Sequence, residues 1–567
     1  MRDGTTGAGR RGMFYLGLGV VTAATLMLQI ILTRIISVIS WYHLAFFVIS
    51  IGMFGLTAGA VWVYLRRERF APVHLSFHLA VASLAFALAI LLALAVQLTL
   101  VTGLPASFMA IVVWSLLAAA LSLPFFYSGI VVSLALTRSP YPIGIVYGVD
   151  LVGAALGCLG VLVLMNLTSG PGAVLWVAVL VGAGGLMFAR AGLGTVPRGG
   201  GLGAALFRRR GAIVAGIAAL ALGNELLGGA VRPVMVKDRI EEPQRMLHER
   251  WNSFSRVAVF HTSFDPPHLW GASPRFVPTP IDQRWLTMDG AAGSTMYRFG
   301  GDLRELAFLR YDVTNLAYAV PDLKTGAVIG VGGGRDVLSA RLMGVEDVVG
   351  VEINPIFIDL LENRFADFNA VARLPGVGFA VDEARSWFSR TERSFDVVQM
   401  SLIDTWAATG AGAYTLSENG LYTVEAWRIF MERLTPAGVF TVSRWYAPGE
   451  VNETGRMVSL AVATLHALGV AEPRRHLFLA ASGNIATLVL SREPLREAAL
   501  AALRQKSADL DYRILAAPGE PAASPLLQRI VAAPDHRALE AVTAASFLDL
   551  SPPTDSRPFF FNQLRLG

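Results

Sequence analysis

Hydrophobic residues are spread unevenly along the chain, and long apolar runs fill its first 190 residues. Each run reaches the roughly 20 residues that a helix needs to cross about 30 Å of hydrocarbon. The first run is too long for a cleavable signal peptide, and a second run follows closely. The pattern therefore predicts six membrane-spanning helices, at about 13–38, 41–64, 73–101, 107–136, 142–167 and 172–189. A seventh apolar run, 211–223, has only 13 residues, and we expect it to lie at the membrane surface.

From residue 327 onward the pattern changes to short apolar strands that alternate with helices. Such alternation is typical of a doubly wound, mainly parallel α/β sheet. Strand-like stretches before an Asp289-Gly290 turn predict a small β-structure ahead of it. The strands of the sheet are expected at 327–331, 348–353, 377–381, 395–400, 439–443, 476–481 and 485–491. The predicted organisation is a basic tail 1–12, a membrane domain 13–230, a linker and small β-domain 231–300, an α/β domain 301–510 and a C-terminal extension 511–567.

Charge separates the same two halves. Only 16% of the residues are charged, against roughly 25% in an ordinary soluble domain. Residues 1–230 contain 13 arginines, no lysine and 4 acids, a net charge of +9, so that the remainder carries 5 − 9 = −4. The excess of positive charge therefore belongs to the apolar half and does not indicate nucleic-acid binding. The single cysteine, Cys158, excludes a disulfide framework and a cysteine-built metal site.

The arginines of the apolar half cluster at alternate ends of the predicted spans. They precede the first span and follow the second, fourth and sixth, whereas the loops near 39–40, 102–106 and 168–171 are uncharged. The positive-inside rule places the arginine-bearing ends in the cytoplasm. With 211–223 at the surface, we expect a multi-pass protein of the cell inner membrane with a cytoplasmic α/β domain. If that run crossed, the α/β domain would lie outside the cell.

Two charges, Arg34 and Asp150, fall within the spans. A charge at membrane depth is a candidate functional site by default. The alternatives are that Arg34 reaches the interface and that Asp150 makes a structural hydrogen bond.

Ligands of a doubly wound sheet bind beyond the carboxyl ends of its strands, and four candidate groups fall there. Glycines that let a ligand approach the backbone follow the first strand, and carboxylates suited to ribose and adenine follow the second and third. These residues are Gly330, Gly332, Gly333 and Gly334, then Glu352, then Asp382, with Ser401 and Asp404 after the fourth strand. A tight turn without a ligand remains an alternative for the glycines, and a dinucleotide site would need a glycine where Arg335 stands. Scattered histidines and the absence of a zinc-ligand run predict no metal site.

Residues 328–445 resemble the class I S-adenosylmethionine-dependent transferases and, within them, the spermidine synthase (polyamine aminopropyltransferase) family. The motifs that carry the resemblance are Val328-Ile-Gly-Val-Gly-Gly-Gly334, Val351-Glu-Ile-Asn354, Asp382-Glu-Ala384 and Phe395-Asp-Val-Val398. The stretch that ends in Asp289-Gly290 is similar to that family's N-terminal β-domain. The apolar half, with Tyr147–Gly153, Leu416–Asn419 and Thr554–Phe561, resembles bacterial membrane-fused members.

The resemblance implies that residues 301–510 bind S-adenosylmethionine or its decarboxylated form. Glu352 would bind the ribose, Asp382 and Ala384 the adenine end, and 330–334 with Arg335 and Asp336 the aminoacyl end. The family has two aspartates three residues apart after the fourth strand, where this chain has Ser401 and Asp404. Asp404 is then the candidate base or amine anchor. The other catalytic candidates are Ser401, Tyr414 and Glu418, and Tyr422 is a further pocket candidate. For Ser417 and Glu418, helix capping is the alternative.

Arg335 bears on which form of the cofactor is used. A guanidinium matches a carboxylate, which only intact S-adenosylmethionine has, and Asp336 could pair with its α-ammonium group. The alternative is that Arg335 faces solvent or a helix end.

These features favour a membrane-anchored, spermidine synthase-like transferase that aminopropylates a small-molecule amine. One alternative is a methyl or alkyl transferase acting on a lipid or another membrane-delivered acceptor. A second is a membrane transporter or sensor whose soluble domain only binds the cofactor. The expected partners are the lipid bilayer and the acceptor, without nucleic acid.

Overall fold

The computed structural model describes residues 3–40, 45–100, 107–197, 201–237, 239–262, 266–403, 419–449, 451–563 and 565. In the apolar half, most of the described residues are helical. Among the described residues, six helices are long and apolar enough to cross a membrane, which confirms a long apolar helix at each of the six predicted spans. The helices are α1 (Asp3–Ile39), α2 (Ala45–Leu65), α3 (Leu75–Thr99), α4 (Phe108–Arg138), α5 (Ile143–Leu167), α6 (Gly170–Ala191), α7 (Leu202–Arg208) and α8 (Arg210–Leu226).

Helix α8 packs lengthwise against α6 and does not lie across the bundle end. A Cβ atom added at Gly182 would lie 2.8 Å from Val214 Cγ2, and one at Gly172 would lie 2.8 Å from Glu225 Oε1. Because Val214 lies near the start of α8 and Glu225 near its end, the two helices are antiparallel. The 17 residues of α8 extend about 25 Å at 1.5 Å per residue. The expectation that 211–223 lies at the membrane surface is therefore wrong.

The reason lies at the polar end of α8, which made the apolar run look too short. Asn224 and Glu225 have partners outside their own helix: Asn224 Oδ1 accepts a hydrogen bond from Val231 N at 2.8 Å, and Glu225 accepts one from the hydroxyl of Thr168, in the α5–α6 loop. The helix therefore continues past the apolar run.

The soluble half begins with a small antiparallel β-structure. Its first pair of strands is β1 (Met235–Val236) and β2 (Arg239–Ile240). A four-stranded antiparallel sheet follows, made of β3 (Met246–Trp251), β4 (Arg256–His261), β5 (Gln283–Met288) and β6 (Ala292–Tyr297). Two 3₁₀ segments, Leu303–Tyr311 and Val313–Ala319, lead to the main sheet.

The main domain is a single eight-stranded sheet with helices between its strands. In chain order its elements are β7 (Thr325–Ile329), α9 (Arg335–Leu342), β8 (Asp347–Glu352), α10 (Pro355–Asp359), β9 (Val377–Val381), α11 (Ala384–Arg390), β10 (Phe395–Ser401), α12 (Val424–Glu432), β11 (Leu434–Trp445), α13 (Glu453–Ala467), β12 (Leu477–Ser482), β13 (Ile485–Ser491), α14 (Glu497–Asp509), β14 (Arg513–Ala516), α15 (Pro525–Val531) and α16 (His536–Ala544). A π-helical turn, Leu360–Arg364, follows α10.

The strand order is β14-β12-β13-β11-β10-β7-β8-β9. Strands β9, β8, β7, β10 and β11 pair in parallel, whereas β13 runs antiparallel between β11 and β12. This is the doubly wound, Rossmann-like topology of class I methyltransferase-type domains, which confirms the expected fold class. The order reverses at β7, and ligands of such sheets bind at that switch point.

The soluble half packs directly against one end of the helical bundle. Lys237 N donates to Ile39 O at 3.0 Å, and the Trp251 ring lies against Gly170 at the start of α6. Arg34 of α1 donates to both carboxylate oxygens of Asp289, at 2.7 and 2.6 Å, and both side chains are buried. Arg34 therefore forms an ion pair between the two halves, where interface snorkelling was the alternative.

Candidate active site

A glycine turn lies at the switch point of the sheet, between the end of β7 and the start of α9. Gly330, Gly332 and Gly334 have φ angles of +79°, +51° and +84°, in the left-handed region that favours glycine. The turn therefore follows the predicted strand and precedes the predicted helix.

Strand β6 of the small β-domain covers this turn. Gly333 N donates to Ser294 Oγ at 2.9 Å, and a Cβ atom at Gly333 would lie 2.3 Å from Thr295 O. At the other end of the same β5–β6 hairpin, Asp289 binds Arg34. One hairpin thus contacts both the helical bundle and the glycine turn.

Glu352, at the end of β8, folds onto the glycine turn. Its Oε2 atom accepts hydrogen bonds from Val331 N at 3.0 Å and Gly332 N at 3.2 Å. Its Oε1 atom accepts one from Asn354 N at 3.0 Å. Burial raises the pKa of Glu352, and these backbone hydrogen bonds oppose the rise. The carboxylate lies beside the turn, as its place in the sequence predicts.

Asp382 follows β9, the next strand along the edge of the sheet. Its Oδ1 atom accepts a hydrogen bond from Glu383 N at 2.9 Å, and its Oδ2 atom pairs with Arg390. Ala384 is buried and begins α11, with Glu383 as the N-cap residue. Two carboxylates, Glu352 and Asp382, thus follow neighbouring parallel strands, in which Glu352 pairs with Val381.

Arg335 lies inside the domain, beneath the glycine turn, where it binds two aspartates. Its Nη1 atom donates to Asp312 Oδ2 at 2.6 Å, and its Nη2 atom lies 2.7 Å from Asp336 Oδ1. Nη2 also donates to Thr314 Oγ1 at 3.1 Å. This corrects both expectations for Arg335, because its side chain neither faces solvent nor presents a free fork to a cofactor carboxylate.

The charges around Arg335 have a definite balance. Asp312, Arg335 and Asp336 together carry −1 when both carboxylates are ionised. Burial raises the pKa of Asp336, against the opposing effect of Arg335. Burial alone would lower the pKa of Arg335, but Asp336 and Asp312 raise it above its ordinary value. With both carboxylates ionised, the corner beneath the turn is better suited to an ammonium group than to a carboxylate.

Ser401, at the end of β10, belongs to the same buried polar network. Its hydroxyl accepts a hydrogen bond from Gln399 Nε2 at 2.9 Å and lies close enough to Asp336 to lower the pKa of that carboxyl. Gln399 in turn accepts a hydrogen bond from the Tyr318 hydroxyl. Ser401 therefore links β10 to Asp336 beside the turn.

The remaining catalytic candidates have different outcomes. Asp404, Tyr414 and Glu418, together with Ser417, lie outside the described residues. Tyr422 is buried, donates to Ile403 O at 3.3 Å and stacks on Phe560 at 4.6 Å between ring centres. The C-terminal extension packs on Tyr422, and its role in a pocket stays a prediction.

An aromatic cluster that sequence reasoning missed lies beside the turn. It consists of His268, Trp270, Trp285 and Trp445. Ring centres lie 4.9 Å apart for His268 and Trp270, 5.1 Å for His268 and Trp285, and 6.1 Å for Trp270 and Trp445. His268 Nδ1 is 3.5 Å from the hydroxyl of Thr295, the residue that contacts Gly333. Trp445 ends β11 and is 42% exposed. The only signal in the sequence was the position of Trp445 at a strand end.

The soluble half is similar to several solved structures. No family model matches the chain, and no curated protein matches it. The spermidine synthase of Thermotoga maritima is 14% identical, with 44% of this chain and 74% of that one covered and a TM-score of 0.29. A probable spermidine synthase from Corynebacterium glutamicum is 14% identical, with coverage of 51% and 94% and a TM-score of 0.33. Human methyltransferase-like protein 13, in complex with SAH, is 15% identical, with coverage of 37% and 90% and a TM-score of 0.25. The strand order of the sheet itself, and not these likenesses, defines the fold.

Proposed function

We propose that the chain is a membrane-bound transferase that binds S-adenosylmethionine or its decarboxylated form and alkylates an amine, in the manner of an aminopropyltransferase. The observation that carries the proposal is the glycine turn at the switch point, with Glu352 and Asp382 at the ends of the next two strands. A carboxylate oxygen has two lone pairs. Glu352 can therefore accept ribose hydroxyls at Oε1, which accepts one backbone hydrogen bond from Asn354.

Charge and aromatic surface beside the turn support cationic ligand groups. With both carboxylates ionised, the trio of Asp312, Arg335 and Asp336 carries a net negative charge, which attracts the ammonium group of either cofactor form. Aromatic rings attract cations through their electron-rich faces. The half-exposed Trp445 of the aromatic cluster therefore supports an acceptor that is a protonated amine before it reacts.

The chain's own residues would hold the reactants and take up one proton. A bound sulfonium supplies an activated carbon that an amine nitrogen can attack in line, with the C–N bond forming as the C–S bond breaks. Glu352 and Asp382 would orient the adenosine, and the negative trio would orient the ammonium end. Such positioning removes much of the barrier. Asp404 is our candidate for the base that accepts the proton of the attacking amine.

The test is incubation of the purified full chain with each donor and a panel of amines and lipids, followed by mass spectrometry. An alkylated amine would support the proposal, and donor binding without any product would favour a sensor. In Asp404→Asn, turnover should fall by a factor on the order of 10²–10⁴, with donor binding little changed. Asp367→Asn, at an exposed ion pair, is the matched control. If Asp404→Asn keeps its turnover, the base is Ser401, Glu418 or Tyr414.

A lipid or another membrane-delivered acceptor is the second candidate. Its support is a cavity of about 460 Å³ that residues of both halves line, among them Ser169, Glu225, Arg250 and Trp251. None of its lining residues belongs to the glycine turn. Alkylated product in the lipid fraction, with none among the amines, would favour this acceptor.

A further inference from the structure

The direction of each helix can be read from contacts at the two ends of the bundle. At the end that meets the soluble half, called here the docking end, Ile39 and Leu98 accept hydrogen bonds from Lys237 and Val234. At the opposite end, Leu193 N donates to Ser76 Oγ and Thr195 N to Val73 O. Helices α1 and α3 therefore run toward the docking end, and α6 runs away from it.

Helix α8 determines on which side of the bundle the soluble half lies, relative to the amino-terminal tail. Since α8 is antiparallel to α6, it also runs toward the docking end. The helices α1, α2, α3, α4, α5, α6 and α8 thus cross the bundle an odd number of times. The amino-terminal tail and the soluble half consequently lie on opposite faces.

The two faces carry very different charges. In the sequence, the stretches that join α1 to α2, α3 to α4 and α5 to α6 (40–44, 100–107 and 168–169) contain no Arg, Lys, Asp or Glu. Among the residues up to the end of α8 whose side chains the structure describes, the opposite end holds ten of the eleven arginines, and Arg34 is the exception. These are Arg10, Arg11, Arg66, Arg67, Arg69, Arg138, Arg190, Arg208, Arg209 and Arg210, against one acid, Glu68.

We infer that the soluble half, with the glycine turn, faces the non-cytoplasmic side of the membrane. Positive residues in short loops stay in the cytoplasm, and the arginine-bearing short loops between the described helices lie opposite the docking end. Arg232, Lys237 and Arg239 follow α8 on the docking side, but they lead into a long domain, and long domains are translocated largely regardless of charge. A surface-lying α8, which would reverse this assignment, is excluded by the packing of α8 along α6. The inference replaces the expected cytoplasmic orientation and does not depend on the proposed function.

The soluble half is attached to the docking end by more than its connecting chain. Arg34 and Asp289 are 1% and 2% exposed in their ion pair, and Trp251 packs against Gly170. Breaking this ion pair would leave a buried charge without its partner, which would strongly destabilise the contact between the two halves. The soluble half is therefore expected to remain packed against the docking end.

If the proposed function also holds, the orientation defines where its substrates come from. The amine acceptor would be taken from the non-cytoplasmic compartment or from the lipid leaflet on that side. A donor made in the cytoplasm would first have to be carried across the membrane.

Cysteine labelling in intact spheroplasts tests the orientation. In a Cys158→Ser background, Ala508→Cys places a thiol on the exposed face of α14. Pro140→Cys places the matched thiol at an exposed position of the α4–α5 loop. A membrane-impermeant maleimide should label the first variant at once and the second only after permeabilisation. The reverse pattern, or equal labelling of both before permeabilisation, would overturn the inference.

Reporter fusions keep the test decisive if a cysteine variant fails to fold. Alkaline phosphatase fused after Gly567 should be active, and the same reporter inserted after Gly201, between α6 and α7, should be inactive. Green fluorescent protein should give the opposite pattern. A fluorescent fusion and an inactive phosphatase at Gly567 would place the soluble half in the cytoplasm.

Discussion

Arg34 and Arg335 are both buried arginines that bind aspartates, but they connect different parts of the molecule. Arg34 binds Asp289, 255 positions away, and ties helix α1 to the β5–β6 hairpin. Arg335 binds Asp312 and its neighbour Asp336, and so holds together a single domain beneath the glycine turn. Each arginine stood out in the sequence as a candidate for ligand chemistry. The difference shows that a buried charge signals the presence of a partner without identifying that partner.

The largest expected effect is the loss of stability in Arg335→Ala. The substitution leaves Asp312 and Asp336 buried without their cation, and breaking a buried pair in this way costs about 3–5 kcal/mol. Denaturation of the purified protein in detergent measures it. Arg393→Ala, which removes a surface pair with Asp347, is the control and should cost about 0–1 kcal/mol. Equal losses in the two variants would mean that the Arg335 group is not a structural centre.

A double-mutant cycle on Arg34 and Asp289 tests the other arginine. Arg34→Met, Asp289→Asn and the double variant should give a coupling energy of about 0.5–3 kcal/mol, as expected for side chains in contact. Hydrogen exchange should become faster at the turn of the β5–β6 hairpin and remain unchanged in β8 and β9. Additive effects of the two substitutions would contradict a direct link between the halves.

The smallest effect concerns the pH dependence of stability at His268. Burial lowers its pKa below 6.5, and the charge of Arg335 lowers it further. A lowered pKa stabilises the fold above pH 6.5, and this contribution is lost as the pH falls toward the folded-state value. His268→Gln should therefore reduce the loss of folding free energy between pH 7 and 5. The reduction is at most about 1.4 kcal/mol for each pH unit by which folding lowers the pKa of His268. His536→Gln, at an exposed position, should leave the slope unchanged, and an unchanged slope in both would refute the assignment.

Local patterns predicted much of the fold, and long-range contacts account for what they missed. The six long apolar helices and the strand–helix alternation depend on residues that are close in sequence. The length of each apolar run and the order of strand-like and helix-like segments were therefore sufficient to predict them. Strand β6 was missed because Gly293, Ser294 and Thr295 break its apolar alternation. The length of α8 depends on partners for Asn224 and Glu225 that come from other segments.

The candidate site divides in the same way. The glycines, Glu352 and Asp382 follow successive strands, and the sheet brings them to one edge. A partner of Arg335 is Asp312, which lies between two 3₁₀ segments that no pattern predicted. The aromatic cluster combines residues 268, 270, 285 and 445, which only the folded chain brings together.

The central claim is that the glycine turn and Glu352 bind an adenosyl sulfonium. Calorimetric titration of the purified full chain with S-adenosylmethionine and its decarboxylated form tests it most directly. Glu352→Ala removes a charged hydrogen-bond acceptor worth about 1.5–3 kcal/mol, so affinity should fall by about ten- to a hundredfold. The exposed Glu346, which pairs with Lys324, provides the control Glu346→Ala, which should bind like the unaltered chain. Unchanged affinity in Glu352→Ala, or no binding of either donor to the unaltered chain, would contradict the account.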